Sequence, residues 1–263
     1  MAAARAGVTQ LEIRPLTAAH VDDVKTVMRG TWGSSCWDLF PRFTAAQQRE
    51  LGITGGPPGT AEAKRREVLA KLARRRKNSA GLVAYRSGEP IGFVSLGPRH
   101  DYSVVENSKV MPPVDEVAVW VIPCITVLRG HRGKGVAVAM IRAAVEYAEE
   151  RGAPAVEAYV RAGGKRVHDD FAFFGTKAMF ERAGFREIRG VLPGLRKTSV
   201  PRVTMRRVIR KRAAPAGRLG AAARRPAPAL PAGTERRRPR RRTAASGAAP
   251  RKAAGGARRA RAR

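Results

Sequence analysis

The sequence predicts an α/β fold that is followed by a basic tail without a core. Residues 117–128 are almost wholly apolar and rich in β-branched side chains, as expected of a strand that is buried on both faces. A basic, glycine-containing turn follows, and residues 136–151 then show the periodicity of an amphipathic helix that ends at Gly152. From residue 211 onward, Gly, Ala, Arg and Pro dominate, so this segment is expected to be disordered.

The elements before this centre are predicted from alternation and turn chemistry. Residues 11–14 alternate as a first strand, and helices are predicted over 17–28 and 60–76. Each helix opens with a Thr that can serve as its N-cap. Two apolar runs at 82–86 and 91–95 are separated by Ser-Gly-Glu-Pro, which predicts a β-hairpin.

Residues 30–58 form a Gly- and Pro-bracketed segment with several aromatic side chains. Two interpretations stay open: the aromatic rings pack over the core as a small lid, or Trp32, Trp37 and Phe40 line a pocket for a ligand. Cys36 is not expected to be a nucleophile, because the sequence indicates no acid–base partner near it.

The elements after the central helix complete the predicted domain. Residues 155–160 alternate as a strand, which places Glu157 and Tyr159 together on one of its faces. The remaining predicted elements are a helix over 171–183 and strands over 185–188 and 203–209.

The turn from Arg129 to Gly135 holds three glycines and four basic side chains counting His131. Unpaired amides of the first helical turn point outward there, and the helix dipole adds about half a positive charge, so a phosphate or pyrophosphate suits the turn. Two common phosphate motifs do not match. A dinucleotide fingerprint needs glycine where Val138 stands, and a P-loop needs Ser or Thr directly after Lys134.

The signature that remains is Arg132-Gly133-Lys134-Gly135-Val136-Ala137, which matches the [Q/R]-x-x-G-x-[G/A] pattern of the GNAT family of N-acetyltransferases. The segment 179–185, Met-Phe-Glu-Arg-Ala-Gly-Phe, resembles a later helix-to-strand motif of the same family. Because both motifs stand in the family order, the chain resembles this family over about residues 10–210. The resemblance implies a three-layer fold with a central mixed, mostly antiparallel sheet of about seven strands flanked by helices.

The resemblance also implies that the fourth and fifth strands splay apart and that acyl-coenzyme A lies between them. Pantetheine amides would pair with the exposed strand edge, as a peptide adds to a sheet, and the pyrophosphate would reach the turn. Acetyl-CoA is therefore the expected cosubstrate, and no metal is expected. The predicted cofactor-binding residues are Ile125, Thr126, Val127, Leu128, Arg132, Gly133, Lys134, Gly135, Val136 and Ala137.

Acetyl transfer to an amine requires the nitrogen to be neutral, so a base must remove its proton. Glu116 at the start of the central strand is the first candidate, and Glu157 is the second, although each could be a rim carboxylate. The family Tyr that protonates the leaving thiolate corresponds to Phe180 in this sequence. Either Tyr159 substitutes for it, or the thiolate leaves without an acid.

The charge distribution keeps a second function open. The tail holds 17 Lys and Arg against Glu235 alone, which is +16 of the formal +31 and leaves +15 for residues 1–210. The alternative is a nucleic-acid-binding protein with a degenerate acetyltransferase scaffold, whose tail binds RNA or DNA without sequence preference. A GC-rich genome would drift towards the same tail composition without selection for binding.

We expect a flexible N-terminus (1–9), an acyltransferase domain (10–210) and a disordered tail (211–263). Cys36 and Cys124 are too few for a disulfide framework or a zinc site, which favours a reducing cytoplasm. No run of 18 apolar residues predicts a membrane span, and we expect a monomer or homodimer. The acceptor is predicted only as an amine: a small molecule, an antibiotic, a peptide N-terminus and a protein lysine all stay open.

Overall fold

A computed structural model describes residues 10–75, 78–163 and 172–209. The predicted N-terminal segment and tail lie outside these residues. The strands of the described part are β1 Leu11–Pro15, β2 Gly81–Arg86, β3 Glu89–Ser95, β4 Gly97–Pro98, β5 Trp120–Ile122, β6 Ile125–Val127, β7 Ala155–Arg161, β8 Arg186–Arg189 and β9 Arg202–Val208. The α-helices are α1 Val21–Met28, α2 Ala45–Glu50, α3 Thr60–Ala73, α4 Ser103–Glu106, α5 Val136–Glu150 and α6 Lys177–Arg182. Short 3-10 turns lie at Ala18–His20, Trp32–Ser35, Arg99–Asp101 and Arg129–His131.

The strands form two sheets, with the orders β1-β2-β3-β6 and β4-β5-β7-β9-β8. The first sheet is antiparallel throughout, and the hairpin predicted for β2 and β3 is confirmed. In the second sheet only β5 and β7 run parallel, as expected when the helix α5 connects them. The predicted mixed α/β fold is confirmed.

The apolar segment 117–128 is not the single strand that its composition predicts. Val117 is 41% exposed, strand β5 begins only at Trp120, and Pro123 separates β5 from β6. Proline has no N–H to donate to a ladder, so the pairing stops there. The chain then changes sheets: β5 pairs with β4 and β7, whereas β6 pairs with β3. A gap therefore opens between β6 and β7, which is the predicted splay.

The first sheet is covered by helices on both faces. Alternate residues of β2 and β3, such as Leu82 and Val94, pack against buried residues of α5, such as Ile141. The residues between them, such as Val83 and Phe93, pack against α1 and α3. This alternation produces the three layers expected from the sequence.

Two predicted N-caps are corrected by the structure. Thr17 precedes a 3-10 turn, and its hydroxyl lies 2.7 Å from His20 Nδ1 instead of accepting from a backbone amide. Helix α3 is capped by Gly59, which has a left-handed φ of 85°. The hydroxyl of Thr60 instead donates to the carbonyl of Pro57 at 2.8 Å. Both threonine hydroxyls form hydrogen bonds within their own turns, and such local bonds often replace an N-cap hydrogen bond.

Two helices are shorter than predicted within the described residues. Helix α3 ends at Ala73, and the predicted end at Arg76 lies outside the described residues. Helix α6 begins at Lys177, where the hydroxyl of Thr176 accepts from the amide of Met179 at 3.3 Å. Residues 164–171, where the prediction began this helix, are not described. No helix of the described chain has the length and apolarity that a membrane span requires.

Candidate active site

A cavity of about 560 Å³ lies beside the open edge of β6. Its walls are formed by β6, the glycine turn, the first residues of α5 and side chains from the segments 28–41, 104–111 and 172–182. A volume of this size is typical of sites for small organic ligands. The cavity therefore joins the open strand edge to the start of the helix.

The glycine turn presents backbone to this cavity. Gly133 and Gly135 have left-handed φ values of 72° and 79°, which favour glycine. A Cβ atom at either position would meet nothing within 4 Å, so a ligand can approach the backbone closely. The first amide of α5 with an intrahelical partner is that of Ala139, which donates to Gly135 at 3.0 Å. The amides before it, from Val136 to Val138, have no such acceptor, and the helix dipole makes this end favourable for an anion.

Most of the predicted cofactor residues come together at this cavity. Two do not line it, Leu128 and Lys134. The amide of Leu128 donates to Ile91 of β3 at 2.9 Å, and the ammonium of Lys134 donates to the carbonyl of Gly130 at 3.0 Å. The predicted residues that line the cavity are Ile125, Thr126, Val127, Arg132, Gly133, Gly135, Val136 and Ala137.

The open edge of β6 is already partly engaged by the protein. The amide of Ile125 donates to the carbonyl of Phe173 at 2.7 Å, and the carbonyl of Val127 accepts from Arg132 Nε at 2.8 Å. The alternation of an antiparallel strand directs the carbonyl of Ile125 and the amide of Val127 to the same edge. A ligand amide can meet these two groups without displacing either protein contact.

The three predicted catalytic residues are not among those that line the cavity. Glu116 is exposed, and within the described residues it takes part in no hydrogen bond or ion pair. Glu157 is only 1% exposed, and it accepts from Tyr159 at 2.7 Å and from Arg206 at 2.6 and 2.8 Å. Both of its carboxylate oxygens are therefore occupied.

Tyr159 and Arg206 extend this buried network in two directions. The hydroxyl of Tyr159 accepts from Arg99, and burial together with the Glu157 charge raises the pKa of Tyr159. Arg206 also binds Asp115 through two contacts of 2.7 and 2.9 Å, which lower the pKa of Asp115. The face that the alternation of β7 predicts for Glu157 and Tyr159 is thus a polar cluster between strands.

A second buried polar cluster, centred on Asp38, could not be recognised from the sequence. Asp38 is fully buried, and its Oδ2 accepts from the hydroxyl of Ser95 at 2.5 Å and from Arg42 at 3.4 Å. Its Oδ1 has no hydrogen-bond partner among the described residues. Burial raises the pKa of Asp38 to about 6, with Arg42 partly opposing the shift. Trp37 and Asp38 also have left-handed φ values of 50° and 63°, an unusual conformation for such residues.

The aromatic segment serves both of the roles that its sequence left open. Trp37 is buried in the core with α1 and α3, as the lid interpretation predicts. Phe40 lines the cavity, as the pocket interpretation predicts, but Trp37 does not; Cys36, which that interpretation did not include, also lines it. The side chain of Trp32 lies outside the described residues.

Both cysteines line the cavity as protonated thiols. Burial raises the pKa of Cys36 to about 11 and that of Cys124 well above its ordinary value, and the nearby charge of Asp38 adds to both shifts. A protonated thiol is a weak nucleophile. This protonation agrees with the expectation that Cys36 does not attack the substrate.

The split sheet, the glycine turn at a helix N-terminus and the cavity between them define an α/β protein with a site that suits an anionic ligand beside a strand edge. The sequence model of the acetyltransferase (GNAT) family matches residues 46–185, more than half of the chain, so the chain belongs to this family. The resemblance seen in the two motifs is thereby confirmed. The family transfers acetyl groups from acetyl-CoA to amines.

Solved structures of similar proteins include a ribosomal-protein-alanine N-acetyltransferase from Brucella melitensis, at 19% identity and a TM-score of 0.45 over 75% of this chain and 99% of that one. PaiA N-acetyltransferase from Thermoplasma acidophilum, solved with coenzyme A, is 14% identical with a TM-score of 0.43 over 76% and 99%. A polyamine N-acetyltransferase from Drosophila melanogaster is 12% identical with a TM-score of 0.45 over 76% and 100%. A comparison with the curated proteins gives no match.

Proposed function

We propose that this protein transfers an acetyl group from acetyl-CoA directly to an amine while both substrates are bound. The observation that carries the proposal is that the glycine turn and the open edge of β6 face one continuous cavity. A pyrophosphate at the turn and a thioester beside the strand can therefore belong to one molecule.

The backbone of the turn is the proposed pyrophosphate site. The amides of Val136, Ala137 and Val138 would donate to phosphate oxygens, and the open space at Gly133 and Gly135 admits them. The pantetheine arm would then follow β6 from Val127 towards Cys124, a distance of roughly 10 Å at about 3.3 Å per residue. This path places the thioester near the Cys124 end of the cavity.

The two candidate carboxylates, Glu116 and Glu157, differ in whether their oxygens are already engaged by hydrogen bonds. The occupied oxygens of Glu157 favour a structural role for it, as does the buried hydroxyl of Tyr159. Glu116 has a carboxylate that no described neighbour engages, and it remains our proposed base for an amine that arrives protonated, acting through water. The leaving thiolate is a weaker base than an alkoxide and can depart without an acid.

A kinetic experiment tests direct transfer. Purified protein is incubated with acetyl-CoA and a panel of amines, and free thiol and acetylated amine are both measured. Double-reciprocal plots should intersect, because both substrates must be bound before transfer. Parallel lines would instead indicate a covalent acetyl-enzyme and overturn the proposed direct step.

A further inference from the structure

The cavity has an end opposite the glycine turn, and this end is where an acceptor would meet the thioester. The amide of Ser95 donates to the carbonyl of Cys124 at 2.9 Å, and the hydroxyl of Ser95 holds Asp38. The aromatic segment is therefore anchored beside Cys124. The amide of Val104 donates to Pro41 at 3.2 Å, which brings the region of α4 to the same place.

The wall at this end is apolar or neutral. Its side chains come from the aromatic segment and from the region of α4: Cys36, Phe40, Pro41, Val104, Val105 and Met111. Removing an ammonium from water into such surroundings is costly, whereas a neutral amine with an apolar body gains from burial. Phe40 forms part of this wall, so an aromatic ligand would gain from burying its own ring there.

The charges on the cavity wall disfavour a cationic acceptor. Within the described wall, the permanently charged side chains are Arg132 and Arg182, and both are positive. The described wall contains no Asp or Glu side chain, so the ammonium groups of a polyamine would find no counter-charge on it.

Among the described residues, the groups that could remove a proton at this end are not available to do so. The thiols of Cys36 and Cys124 hold their own protons. Asp38 lies behind them, is 0% exposed and is bound by Ser95 and Arg42. An ammonium group would therefore depend on Glu116, which does not line the cavity and would have to act through water, whereas a neutral amine could attack at once.

We infer that the acceptor is an aromatic amine of low basicity, which enters the cavity as a neutral nucleophile, and not a polyamine or a lysine side chain. This inference rests on the proposed function and specifies its acceptor. The nitrogen lone pair attacks the thioester carbonyl carbon, the C–N bond forms, and the C–S bond breaks with its electron pair going to sulfur. The nitrogen proton passes to the thiolate, so the products are the acetylated amine and coenzyme A.

Two isomeric amines separate basicity from size. p-Toluidine and benzylamine have the same formula and a similar apolar body, but benzylamine is protonated at pH 7 and p-toluidine is not. With acetyl-CoA, kcat/KM for p-toluidine should exceed that for benzylamine and for spermidine by at least about tenfold at pH 7. The gap should narrow at higher pH as free benzylamine accumulates. A preference for benzylamine or spermidine at pH 7 would overturn the inference.

Acetyl-CoA binding is measured first by calorimetry, without an acceptor, so that two failures can be told apart. Absence of binding would remove the proposed function together with the inference. Binding of acetyl-CoA with spermidine as the better acceptor, or with no turnover of either isomer, would overturn the acceptor class alone. Asp169 and Asp170 lie outside the described residues, so their double Asn variant is measured as well. Spermidine turnover that disappears in this variant would show a built cation site and would also overturn the inference.

A charge placed in the wall gives a matched test. Met111→Glu supplies a counter-charge for an ammonium, whereas Met111→Gln has the same shape without the charge. Met111→Glu should raise the benzylamine to p-toluidine ratio of kcat/KM by at least about tenfold, because opposite charge favours the protonated acceptor. Met111→Gln should leave the ratio near the parent value. An unchanged ratio in Met111→Glu would show that the acceptor does not meet this wall, and the inference would fail.

Discussion

The carboxylate of Asp38 accepts a hydrogen bond of 2.5 Å from the hydroxyl of Ser95, and neither residue is exposed to solvent. Ser95 ends β3, whereas Asp38 belongs to the aromatic segment, so the contact joins a sheet to the wall of the cavity. Arg42 donates to Asp38, to the carbonyl of Ala80 at 2.5 Å and to the hydroxyl of Tyr102 at 2.5 Å. This cluster holds Cys36 and Phe40 in place without contacting the proposed substrates.

Asp38→Asn should change how stability depends on pH. The folded-state pKa of Asp38 is about 6, above its ordinary value of 3.8, so the folded protein retains a proton that the unfolded chain releases. The contribution of Asp38 to the free energy of unfolding is therefore largest at low pH and falls as pH rises from about 4 to about 6. Urea titrations across this pH range should show that the free energy of unfolding of Asp38→Asn lacks this fall with rising pH.

Ser95→Ala is the companion variant for that measurement. It keeps the Asp38 carboxylate but removes a hydrogen bond that lowers the pKa of Asp38. The pH range over which the free energy of unfolding falls should therefore extend to higher pH. The same pH slope in the parent and in Asp38→Asn would contradict the assigned pKa direction.

Gly135→Val should abolish most acetyl-CoA binding. Gly135 is the left-handed N-cap of α5, and a branched side chain there would stand in the proposed pyrophosphate site. At a hundredfold excess over its Kd, acetyl-CoA should stabilise the parent by about 2.7 kcal/mol. Calorimetry and thermal unfolding should show this shift in the parent and its loss in Gly135→Val.

Gly152→Val is the matched control, because Gly152 follows the other end of the same helix with a φ of 76°. It imposes similar backbone strain away from the cavity. If both variants bind acetyl-CoA equally, the pyrophosphate does not lie at the glycine turn.

Glu157→Gln should reduce stability and leave catalysis intact. The carboxylate of Glu157 bonds to Arg206 and Tyr159 in a buried setting, and losing charge-assisted hydrogen bonds of this kind costs about 2 kcal/mol. The expected result is a lower midpoint of denaturation with kcat per folded molecule changed by less than about threefold. A large loss of kcat at unchanged stability would return Glu157 to the candidate bases.

Glu116→Gln should act on basic acceptors only. If Glu116 deprotonates the amine, its loss should lower kcat for benzylamine at pH 7 by about 10² or more, and the defect should shrink at high pH. Transfer to p-toluidine needs no such base and should stay within about threefold of the parent. If the variant acetylates benzylamine at pH 7 as fast as the parent does, Glu116 is not the base.

Ending the chain at Lys211 should leave acetyl transfer unchanged. The removed segment carries almost all of its charge as arginine, so salt-sensitive binding to RNA should fall steeply while acetyl-CoA affinity is retained. Filter binding at several salt concentrations measures the affinity for RNA, calorimetry measures the affinity for acetyl-CoA, and thiol release measures acetyl transfer. A loss of turnover beyond about tenfold would show that the tail acts on the domain.

Local patterns in the sequence were sufficient to predict the hairpin of β2 and β3, the helix α5, the alternation of β7 and the glycine turn. These features depend on residues close together along the chain, where periodicity, glycine conformation and capping act directly. The family resemblance and most of the proposed coenzyme A-binding residues were likewise predicted from short, local sequence motifs. The sequence by itself thus determined the fold class and the position of the glycine turn that we propose as the pyrophosphate site.

Only the tertiary structure decided where the buried segment 117–128 divides, which carboxylates are engaged and what lines the acceptor end. Pro123 ends one pairing, but the partner strands that make this a change of sheet lie far away in sequence. Glu157 meets Arg206 across 49 positions, and Asp38 meets Ser95 across 57. Such pairings depend on how the layers pack and not on the residues next to them, so no local pattern could place Glu157 in an ion pair or Asp38 behind the cavity wall.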